Sequence, residues 1–318
     1  MLDFKIKILV VCGGTSTERE VSLRSGNAVY NALRTFGYEN IELFDLTADN
    51  VYEIIQKNPD IVYLALHGKG GEDGCIQGML KLAGISYTGP GVATSAICMN
   101  KVLTKHLLKA NDIPTAKYIE CRYSSFKNSS ELAVELVKDI GIPMVLKSPS
   151  QGSSIGVEIV KNEQELKNAI DEVIKYDDVI LVEEFLEGVE ITLPIIGNDD
   201  LMILPEIEIL SENEFYDFDA KYTNGKCHHI IPARISESER KLIREIGKKV
   251  YLKLGCQGVS RIDFIIDKKK GPMVIEINTL PGMTDMSLVP DAGRASGIEF
   301  PELCSMILQY GIMANEKN

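Results

Sequence analysis

Two carboxylates and their polar neighbours stand on what the sequence predicts to be a β-hairpin. Residues 259–266 and 273–277 have the β-branched, apolar pattern of strands, and the segment between them is polar and contains glycine, as hairpin loops do. If the strands close directly around that loop, Ile266 lies opposite Met273. Four functional side chains then form two opposed pairs on one face, because side chains alternate between faces along a strand. The pairs are Asp263 with Glu276 and Arg261 with Asn278.

The opposed carboxylates predict a cation site. Carboxylates directly across a strand pair repel each other, so the arrangement favours a positive ion between them. Magnesium prefers a few such oxygens with water and substrate phosphates, and Asp263, Glu276 and the Asn278 amide oxygen can supply the protein ligands. Arg261 is expected at the rim as a clamp for an oxyanion or phosphate, and Gly282, just beyond, permits close backbone approach to a ligand. The alternative is a set of charges on a solvated sheet face.

A glycine-serine loop is a second candidate ligand site. Residues 150–156 (SQGSSIG) separate predicted strands at 144–147 and 157–160, and they offer hydroxyls and backbone N–H groups suited to phosphates. The loop is not a P-loop, since no GK[ST] follows and a strand rather than a helix comes next. Lys147, directly before it, can neutralise a phosphate, and a surface lysine is the alternative.

Two more loops follow strands of a predicted parallel sheet, where open α/β sheets bind ligands. Residues 13–22 lack the GxGxxG order of a dinucleotide fingerprint, and Glu18 within them suits an amine partner. Residues 67–74 place one of only four histidines, His67, at the end of a strand. A capped turn is the alternative for each loop. Residues 215–225 mix aromatic and charged residues, as a loop that folds over a ligand would, or as an irregular half-buried strand would.

The pattern around these loops predicts an N-terminal parallel α/β unit followed by a second unit from about residue 89. Short β-branched runs alternate with helical patterns up to residue 83. Gly37 stands where the first helix needs a C-terminal cap. Other predicted elements include helices over 95–110, 163–175 and 237–254 and strands over 191–196 and 202–209.

Composition bounds the class of protein. A chain of 318 residues with 45% hydrophobic and 25% charged residues predicts a globular protein of two or three domains. The net charge of -12 argues against binding duplex nucleic acid. The seven scattered cysteines predict no disulfide framework, and the N-terminal apolar run is too short for a signal or a membrane span. We therefore expect a cytoplasmic protein that does not bind membranes.

Seven ordered blocks together resemble the D-alanine--D-alanine ligase family of the ATP-grasp superfamily, over residues 5–310. The blocks are GGTSTEREVSLRSG, LHGKGGEDGCIQGML, MNKVLTK, QGSSIGV, YDFDAKY, SRIDF and EINTLPGMTDMSLVP. The resemblance implies a mixed α/β and α+β, three-domain ATP-grasp fold with ATP between the second and third domains. It places a parallel α/β domain at 1–88, a central ATP-grasp subdomain at 89–182 and a C-terminal subdomain at 183–318.

The resemblance also implies the reaction. ATP phosphorylates the carboxylate of one D-alanine, the amine of a second D-alanine attacks the acyl phosphate, and phosphate is lost. The product is the dipeptide used in peptidoglycan precursors. The implied assembly is a homodimer.

Roles carried over from the family, matched position by position, fall into four groups. Glu18, Val21, His67, Ser153 and Tyr222 resemble the residues around the first D-alanine, with Ser153 and Tyr222 hydrogen-bonded to Glu18. Lys101, Lys147, Ser154, Glu183, Phe185, Leu186, Glu190 and Lys221 match nucleotide contacts. Arg261 and the Gly282 backbone N–H match an oxyanion hole, and Lys221, Ser287 and Leu288 match contacts to the second D-alanine. Asp263, Glu276 and Asn278 match ligands of two Mg²⁺ ions, with Mn²⁺ as a substitute.

Three alternatives stay open at this point. Tyr222 stands where D-lactate-using relatives typically have histidine, which favours an amine as second substrate, but D-serine could replace D-alanine there. A peptide-forming ATP-grasp ligase with other substrates is the second alternative. The third is a non-catalytic nucleotide-binding paralogue, which the intact set of charged residues argues against.

Overall fold

The structure is a computed structural model that describes residues 3–211, 227–284 and 287–316. Within those ranges the strands form three sheets of four, six and four strands. One sheet is parallel and the other two are antiparallel throughout. This mixture confirms the predicted combination of α/β and α+β architecture.

The first sheet is parallel, with strand order β2-β1-β3-β4, as the alternating pattern predicts. The two central strands, β1 and β3, are buried along their whole length, which explains their continuous apolar sequences, whereas β2 at the edge has exposed positions. Gly37 ends the first helix, and its N–H bonds to the Leu33 and Arg34 carbonyls, as predicted. The elements are β1 (Ile8–Gly13), α1 (Arg19–Phe36), β2 (Ile41–Leu46), α2 (Glu53–Lys57), β3 (Ile61–Leu64), α3 (Cys75–Leu82) and β4 (Ser86–Tyr87).

The predicted helix over 95–110 is two helices, α4 (Val92–Met99) and α5 (Lys101–Ala110). The break is at Asn100, which has extended backbone and accepts hydrogen bonds on its side chain from the first turn of α5. Asparagine is a strong N-cap because its side-chain oxygen replaces the missing carbonyl of a preceding turn. The prediction of one continuous helix is therefore wrong.

The second sheet is antiparallel, in the order β5-β8-β6-β7. Its strands are β5 (Tyr118–Arg122), β6 (Met144–Lys147), β7 (Val157–Val160) and β8 (Val179–Glu184). The glycine-serine loop connects β6 to β7, and both strands have the predicted bounds. Two helices, α6 (Ser129–Asp139) and α7 (Glu163–Val173), share an apolar core with the sheet.

The third sheet has the order β12-β11-β9-β13-β14, with β10 paired to β9. The predicted strand over 202–209 is divided into β10 and β11, since Pro205 between them cannot donate a ladder hydrogen bond. Helix α8 (Glu237–Leu254) has the predicted bounds and a capping box at Ser236. The strands are β9 (Gly188–Gly197), β10 (Leu201–Ile203), β11 (Ile207–Ser211), β12 (Cys227–Ile230), β13 (Gly258–Asp267) and β14 (Gly271–Asn278).

The C-terminal helices return to the first sheet. After α9 (Leu288–Ala295), α10 (Phe300–Glu316) packs against α1 and β4. One apolar core contains side chains of β1, α1, α9 and α10, and Tyr38 is hydrogen-bonded to Ser305 of α10 at 3.0 Å. Among the described residues, no helix is long and apolar enough to cross a membrane.

Candidate active site

The β13–β14 hairpin holds both predicted pairs. Asp263 lies opposite Glu276, and Arg261 lies opposite Asn278. Their side chains share one face, because the guanidinium of Arg261 and the amide of Asn278 both reach the Asp263 carboxylate. The predicted juxtaposition of the two carboxylates is therefore confirmed.

The register nearer the loop differs from the prediction. Ile266 pairs with Pro272 rather than Met273, so the turn is tighter by one residue. The pairing shifts by one residue after Asp263: Asp263 pairs with Glu276, but the next residue, Phe264, pairs with Val274. The extra residue in β14 is a bulge, and bulges commonly re-aim side chains next to functional sites. It restores the register in which the two carboxylates oppose each other.

Asp263 accepts four hydrogen bonds from three side chains. Arg261 donates to both of its oxygens, from Nε to Oδ1 and from Nη2 to Oδ2, each at 2.9 Å. The Asn278 amide donates to Oδ2 at 2.9 Å, and the Thr192 hydroxyl, from β9, donates to Oδ1. Only 6% of Asp263 is exposed. The carboxylate is held in one orientation by charge-assisted bonds.

The hairpin donors fit a hard divalent cation. Asp263, Glu276 and Asn278 present carboxylate and amide oxygens on one face, which is the ligand type that magnesium prefers. Within the described ranges, no three His, Cys, Asp or Glu side chains are grouped closely enough to hold a metal by themselves. A bound cation would therefore need the Asn278 amide together with substrate or water oxygens.

The Glu18 carboxylate lies between two glycines from different parts of the chain. A Cβ atom at Gly68 or at Gly152 would stand 2.8 Å from Glu18 Oε2, so a side chain at either position would displace that carboxylate. Ser153 donates a hydrogen bond to the other oxygen, Oε1. Glu18 is 7% exposed. The glycine-serine loop and the loop after β3 thus meet at this carboxylate, as the resemblance implies for Ser153.

His67 ties the loop after β3 to the chain that leaves the hairpin. Its Nδ1 lies 3.1 Å from the Leu280 carbonyl oxygen, which can only accept, so Nδ1 carries the proton. Nε2 therefore accepts from the Ser25 hydroxyl at 3.1 Å, and Ser25 in turn accepts from the Met283 N–H at 3.3 Å. Burial lowers the pKa of His67, against the opposing charge of Glu18. A neutral imidazole satisfies every contact.

Glu72 belongs to the same cluster, although its sequence position carries no assigned role. Its carboxyl accepts from the Gly68 N–H at 2.8 Å and from the Leu280 N–H at 3.4 Å. Burial, followed by the charge of Glu18, raises the pKa of Glu72 to about 8, against the charge of Arg261. Glu72 is therefore protonated at neutral pH. The signal in the sequence was its place in a polar, glycine-rich loop at the end of a strand.

The entry to the glycine-serine loop is anchored by Asp177. Its carboxylate accepts from the Ser148 hydroxyl, from the Ser150 N–H at 3.1 Å and from the Ser150 hydroxyl at 2.8 Å. Lys101, at the start of α5, donates from Nζ to the Gln151 carbonyl, and its N–H bonds to the Pro149 carbonyl at 3.1 Å. Positive φ angles at Ser153 (49°) and Ser154 (63°) shape the tip. Asp177 thus holds the start of the loop, and Lys101 holds it at Gln151.

Glu183 forms the centre of a buried charge cluster. One carboxylate oxygen contacts Lys147 of β6, and the other contacts Lys105 of α5. Burial opposes ionisation, but the two lysines prevail and lower the pKa of Glu183 to about 2. Lys105 is absent from the sequence-based predictions. Of the remaining predicted nucleotide contacts, Leu186 is buried, and Phe185 and Glu190 are half-buried at the junction of β8 and β9.

The predicted residues for the second substrate lie beside Gly282. A Cβ atom on Gly282 would stand 2.9 Å from the Ser287 hydroxyl, which accepts from the Thr284 N–H at 2.9 Å. Leu288 is buried at the start of α9, and Val21 is buried in α1. Lys221 and Tyr222 lie outside the described residues, so their predicted roles stay predictions.

Comparisons with known proteins identify the family of the chain. A family model described as "D-ala D-ala ligase C-terminus" matches residues 107–309, and one described as "D-ala D-ala ligase N-terminus" matches residues 47–90. A D-alanine--D-alanine ligase of Carboxydothermus hydrogenoformans is 45% identical over 313 residues, covering 98% of this chain and 100% of that protein.

Two solved structures extend the comparison. The D-alanine--D-alanine ligase from Bacillus anthracis complexed with ATP is 33% identical, with a TM-score of 0.83, covering 98% of this chain and 99% of that one. The VanG D-Ala:D-Ser ligase from Enterococcus faecalis is 30% identical, with a TM-score of 0.81, covering 96% and 99%. The sheets, the hairpin and these matches define an ATP-dependent ligase with the ATP-grasp fold. Within that class, the chain belongs to the D-alanine--D-alanine ligase family.

Proposed function

We propose that this chain joins two D-alanine molecules and converts ATP to ADP and phosphate. The observation that supports this most is the connection between Glu18 and the hairpin. His67 and Glu72 both bond to Leu280, two residues after Asn278, while Glu18 lies against the same loop at Gly68. A carboxylate suited to an ammonium group is thus connected through one loop to a hairpin that carries an arginine suited to phosphate and paired carboxylates suited to a cation.

In the first step, a carboxylate oxygen of one D-alanine attacks the γ-phosphorus of ATP. The bond from phosphorus to the bridging oxygen breaks, ADP leaves, and an acyl phosphate forms. Glu18 would hold the ammonium of this D-alanine, and the Ser153 hydroxyl would keep Glu18 in place. Lys147 and Lys101 would contact the phosphates. Fixing the two reactants in this way removes much of the entropic part of the barrier.

In the second step, the neutral amine of another D-alanine attacks the acyl carbon. The tetrahedral intermediate places negative charge on the former carbonyl oxygen, and Arg261 with the Gly282 N–H would stabilise it. The bond from carbon to the phosphate oxygen breaks, phosphate leaves with the electron pair, and the attacking nitrogen transfers a proton to the departing phosphate or to water. Ser287, beside Gly282, would contact the second D-alanine.

Asp263, Glu276 and Asn278 would hold the magnesium ions of this reaction. Bound magnesium supplies Lewis-acid stabilisation of the charge on the transferring phosphoryl group. Arg261 donates to both oxygens of Asp263 and so fixes the orientation of this ligand. Mn²⁺ has the same preference for oxygen ligands and is expected to substitute.

Three further features are part of the proposal. The three sheets correspond to three domains, at about residues 1–88, 89–182 and 183–318, with α10 returning to the first. The family resemblance supports a homodimer in the cytoplasm. The second substrate is D-alanine, with D-serine as the candidate that the similarity to a D-Ala:D-Ser ligase keeps open.

A phosphate-release assay with chromatographic analysis of the products tests the proposal. ATP and magnesium are supplied with D-alanine alone, or with D-alanine plus D-serine or D-lactate. We expect D-alanyl-D-alanine with stoichiometric phosphate. If D-Ala-D-Ser formed with a higher kcat/KM than D-Ala-D-Ala, the second substrate would be D-serine. Binding of ATP without any dipeptide would refute the enzymatic function.

A further inference from the structure

Lys105 is a buried lysine for which the proposed reaction has no direct use. Its side chain is 1% exposed, and it extends from α5 to Glu183 of β8, whose side chain is 3% exposed. Lysine is almost never fully buried unless it is paired, because removing its charge from water is costly. Burial accordingly lowers the pKa of Lys105, while Glu183 opposes that change.

Lys105 and Lys147 contact different oxygens of the Glu183 carboxylate. Glu183 Oε1 contacts Lys105, and Oε2 contacts Lys147. The Lys147 side chain is 12% exposed, so it reaches the surface that Lys105 does not. Glu184 also acts on Lys105, but it is paired with Lys270. The two lysines and Glu183 therefore carry one net positive charge, which an anion on the Lys147 side would balance.

The second partner of Lys105 connects the cluster to the hairpin. Its ammonium donates to the Thr115 hydroxyl, which itself donates to the Val274 carbonyl at 2.7 Å. Val274 lies on β14, two residues before Glu276. Lys101, one helical turn before Lys105 on α5, contacts the glycine-serine loop. Lys105 thus connects β8 to β14 from a helix whose first residue holds the glycine-serine loop.

We propose that Lys105 is a positioning residue for ATP: it compensates the charge of Glu183 so that the positive charge of Lys147 stays available to the nucleotide phosphates. This rests on the proposed nucleotide role of Lys147. With Lys105 present, Glu183 has two cationic partners, so its negative charge neutralises only part of the positive charge of Lys147. With Lys105 neutral, Lys147 becomes the only cation on a buried carboxylate, and its attraction to phosphate is largely cancelled.

The test is the affinity for a non-hydrolysable ATP analogue with magnesium, measured by calorimetry on the full-length protein. Lys105→Met should weaken binding about 10- to 100-fold. Lys109→Met is the matched control, since it removes an exposed lysine from the same helix and should leave the affinity within about twofold of wild type. Steady-state KM for ATP should rise with the analogue Kd, while KM for D-alanine stays nearly constant.

A double-mutant cycle separates this role from a general effect on packing. If Lys105 acts through Glu183, Lys105→Met should have little further effect on nucleotide affinity in a Glu183→Gln background. Equal effects in both backgrounds would overturn the proposal. So would a folded Lys105→Met protein, verified by circular dichroism, whose affinity matches wild type.

Two further variants keep the test decisive if Lys105→Met does not fold. Lys105→Gln removes the charge but keeps a hydrogen-bond donor, and the same loss of affinity is expected from it. Thr115→Val removes the other partner and leaves the ion pair, so it should lower stability with little change in ATP affinity. A loss of ATP affinity in Thr115→Val, with unchanged affinity in Lys105→Gln, would contradict the proposal. Because binding is measured without turnover, a wild-type protein that binds ATP but makes no dipeptide would refute the proposed function and not this inference.

Discussion

Ser153 donates a hydrogen bond to the carboxylate of Glu18, and this contact joins the glycine-serine loop to the start of α1. A Cβ atom on Gly152, next to Ser153, would stand 2.8 Å from the same carboxylate and would displace it. The loop therefore approaches the carboxylate with its backbone as well as its hydroxyl. A shift of the glycine-serine loop would therefore change the orientation of Glu18, the proposed ammonium-binding group.

Removal of the Ser153 hydroxyl should weaken binding of the first D-alanine. We expect Ser153→Ala to lower kcat/KM for D-alanine about 10- to 100-fold, the range for losing a hydrogen bond to a charged group. Ser153→Gly suits the positive φ of 49° and also lacks the hydroxyl, so it should show a similar loss. If Ser153→Gly kept wild-type kinetics, backbone strain rather than the hydroxyl would explain the effect of alanine.

Glu276→Gln should nearly abolish turnover while the fold stays intact. The change removes one charge from the opposed pair with Asp263, which weakens the proposed metal site and relieves repulsion between the strands. We expect kcat to fall by at least about 100-fold, with a higher magnesium requirement for the residual activity.

Magnesium titrations of the rate, with thermal unfolding of the same samples, check this prediction. Glu187→Gln is the control, since it removes an exposed carboxylate that pairs with Lys268 at the far end of β13. Near-normal turnover of Glu276→Gln at limiting magnesium would show that the hairpin does not bind the metal.

Sequence alone correctly predicted that Asp263 lies opposite Glu276 and Arg261 opposite Asn278, because alternation along two strands depends only on local pattern. It could not place the tighter turn, since the pairing of Ile266 with Pro272 is accommodated by a bulge whose position depends on packing. A second case is Asn100, whose capping side chain divides a helical pattern that otherwise reads as continuous.

Lys105 shows what sequence reasoning misses at the site. Together with Val102 and Leu108 it lies on the buried face of α5, so its spacing placed it on the apolar side of the helix. A lysine there is usually interpreted as exposed, because burial is tolerable only with a partner. That partner, Glu183, is distant in the chain and adjacent only after folding. A charged residue at a position that the helical spacing assigns to the buried face therefore indicates a buried ion pair.

Glu72 should make stability depend on pH. Its pKa rises from 4.5 to about 8 on folding, so between these values the folded protein holds a proton that the unfolded chain releases. The contribution of Glu72 to the free energy of unfolding is therefore largest below pH 4.5, falls as pH rises, and is constant above about pH 8.

Urea unfolding of wild type and Glu72→Gln across this pH range measures that contribution. The amide cannot ionise, so the stability of wild type relative to the variant should decrease with rising pH and level off near pH 8. Parallel stability curves for the two proteins over the whole range would show that Glu72 does not keep its proton in the folded state.

Two glycines in helices should respond in opposite directions to alanine. In α1, a Cβ on Gly26 would lie 2.3 Å from Cys12 Cβ and 2.7 Å from Cys12 Sγ, both on buried β1. Gly26→Ala should therefore lower the free energy of unfolding by about 1–3 kcal/mol. In α3, the nearest atom to a Cβ on Gly78 is 3.9 Å away, on Val92. Gly78→Ala should raise the free energy of unfolding by about 0.5–1 kcal/mol.

Urea unfolding of both variants, with D-alanine kinetics, distinguishes a packing effect from intrinsic helix propensity. Propensity alone predicts that both alanines stabilise, because glycine is the poorer helix former. Packing predicts that only Gly26→Ala destabilises and that it also raises KM for D-alanine. The helix must move away from β1 to admit the methyl group, and Glu18 at its start moves with it. Stabilisation by both substitutions would show that α1 does not depend on this close approach to hold Glu18.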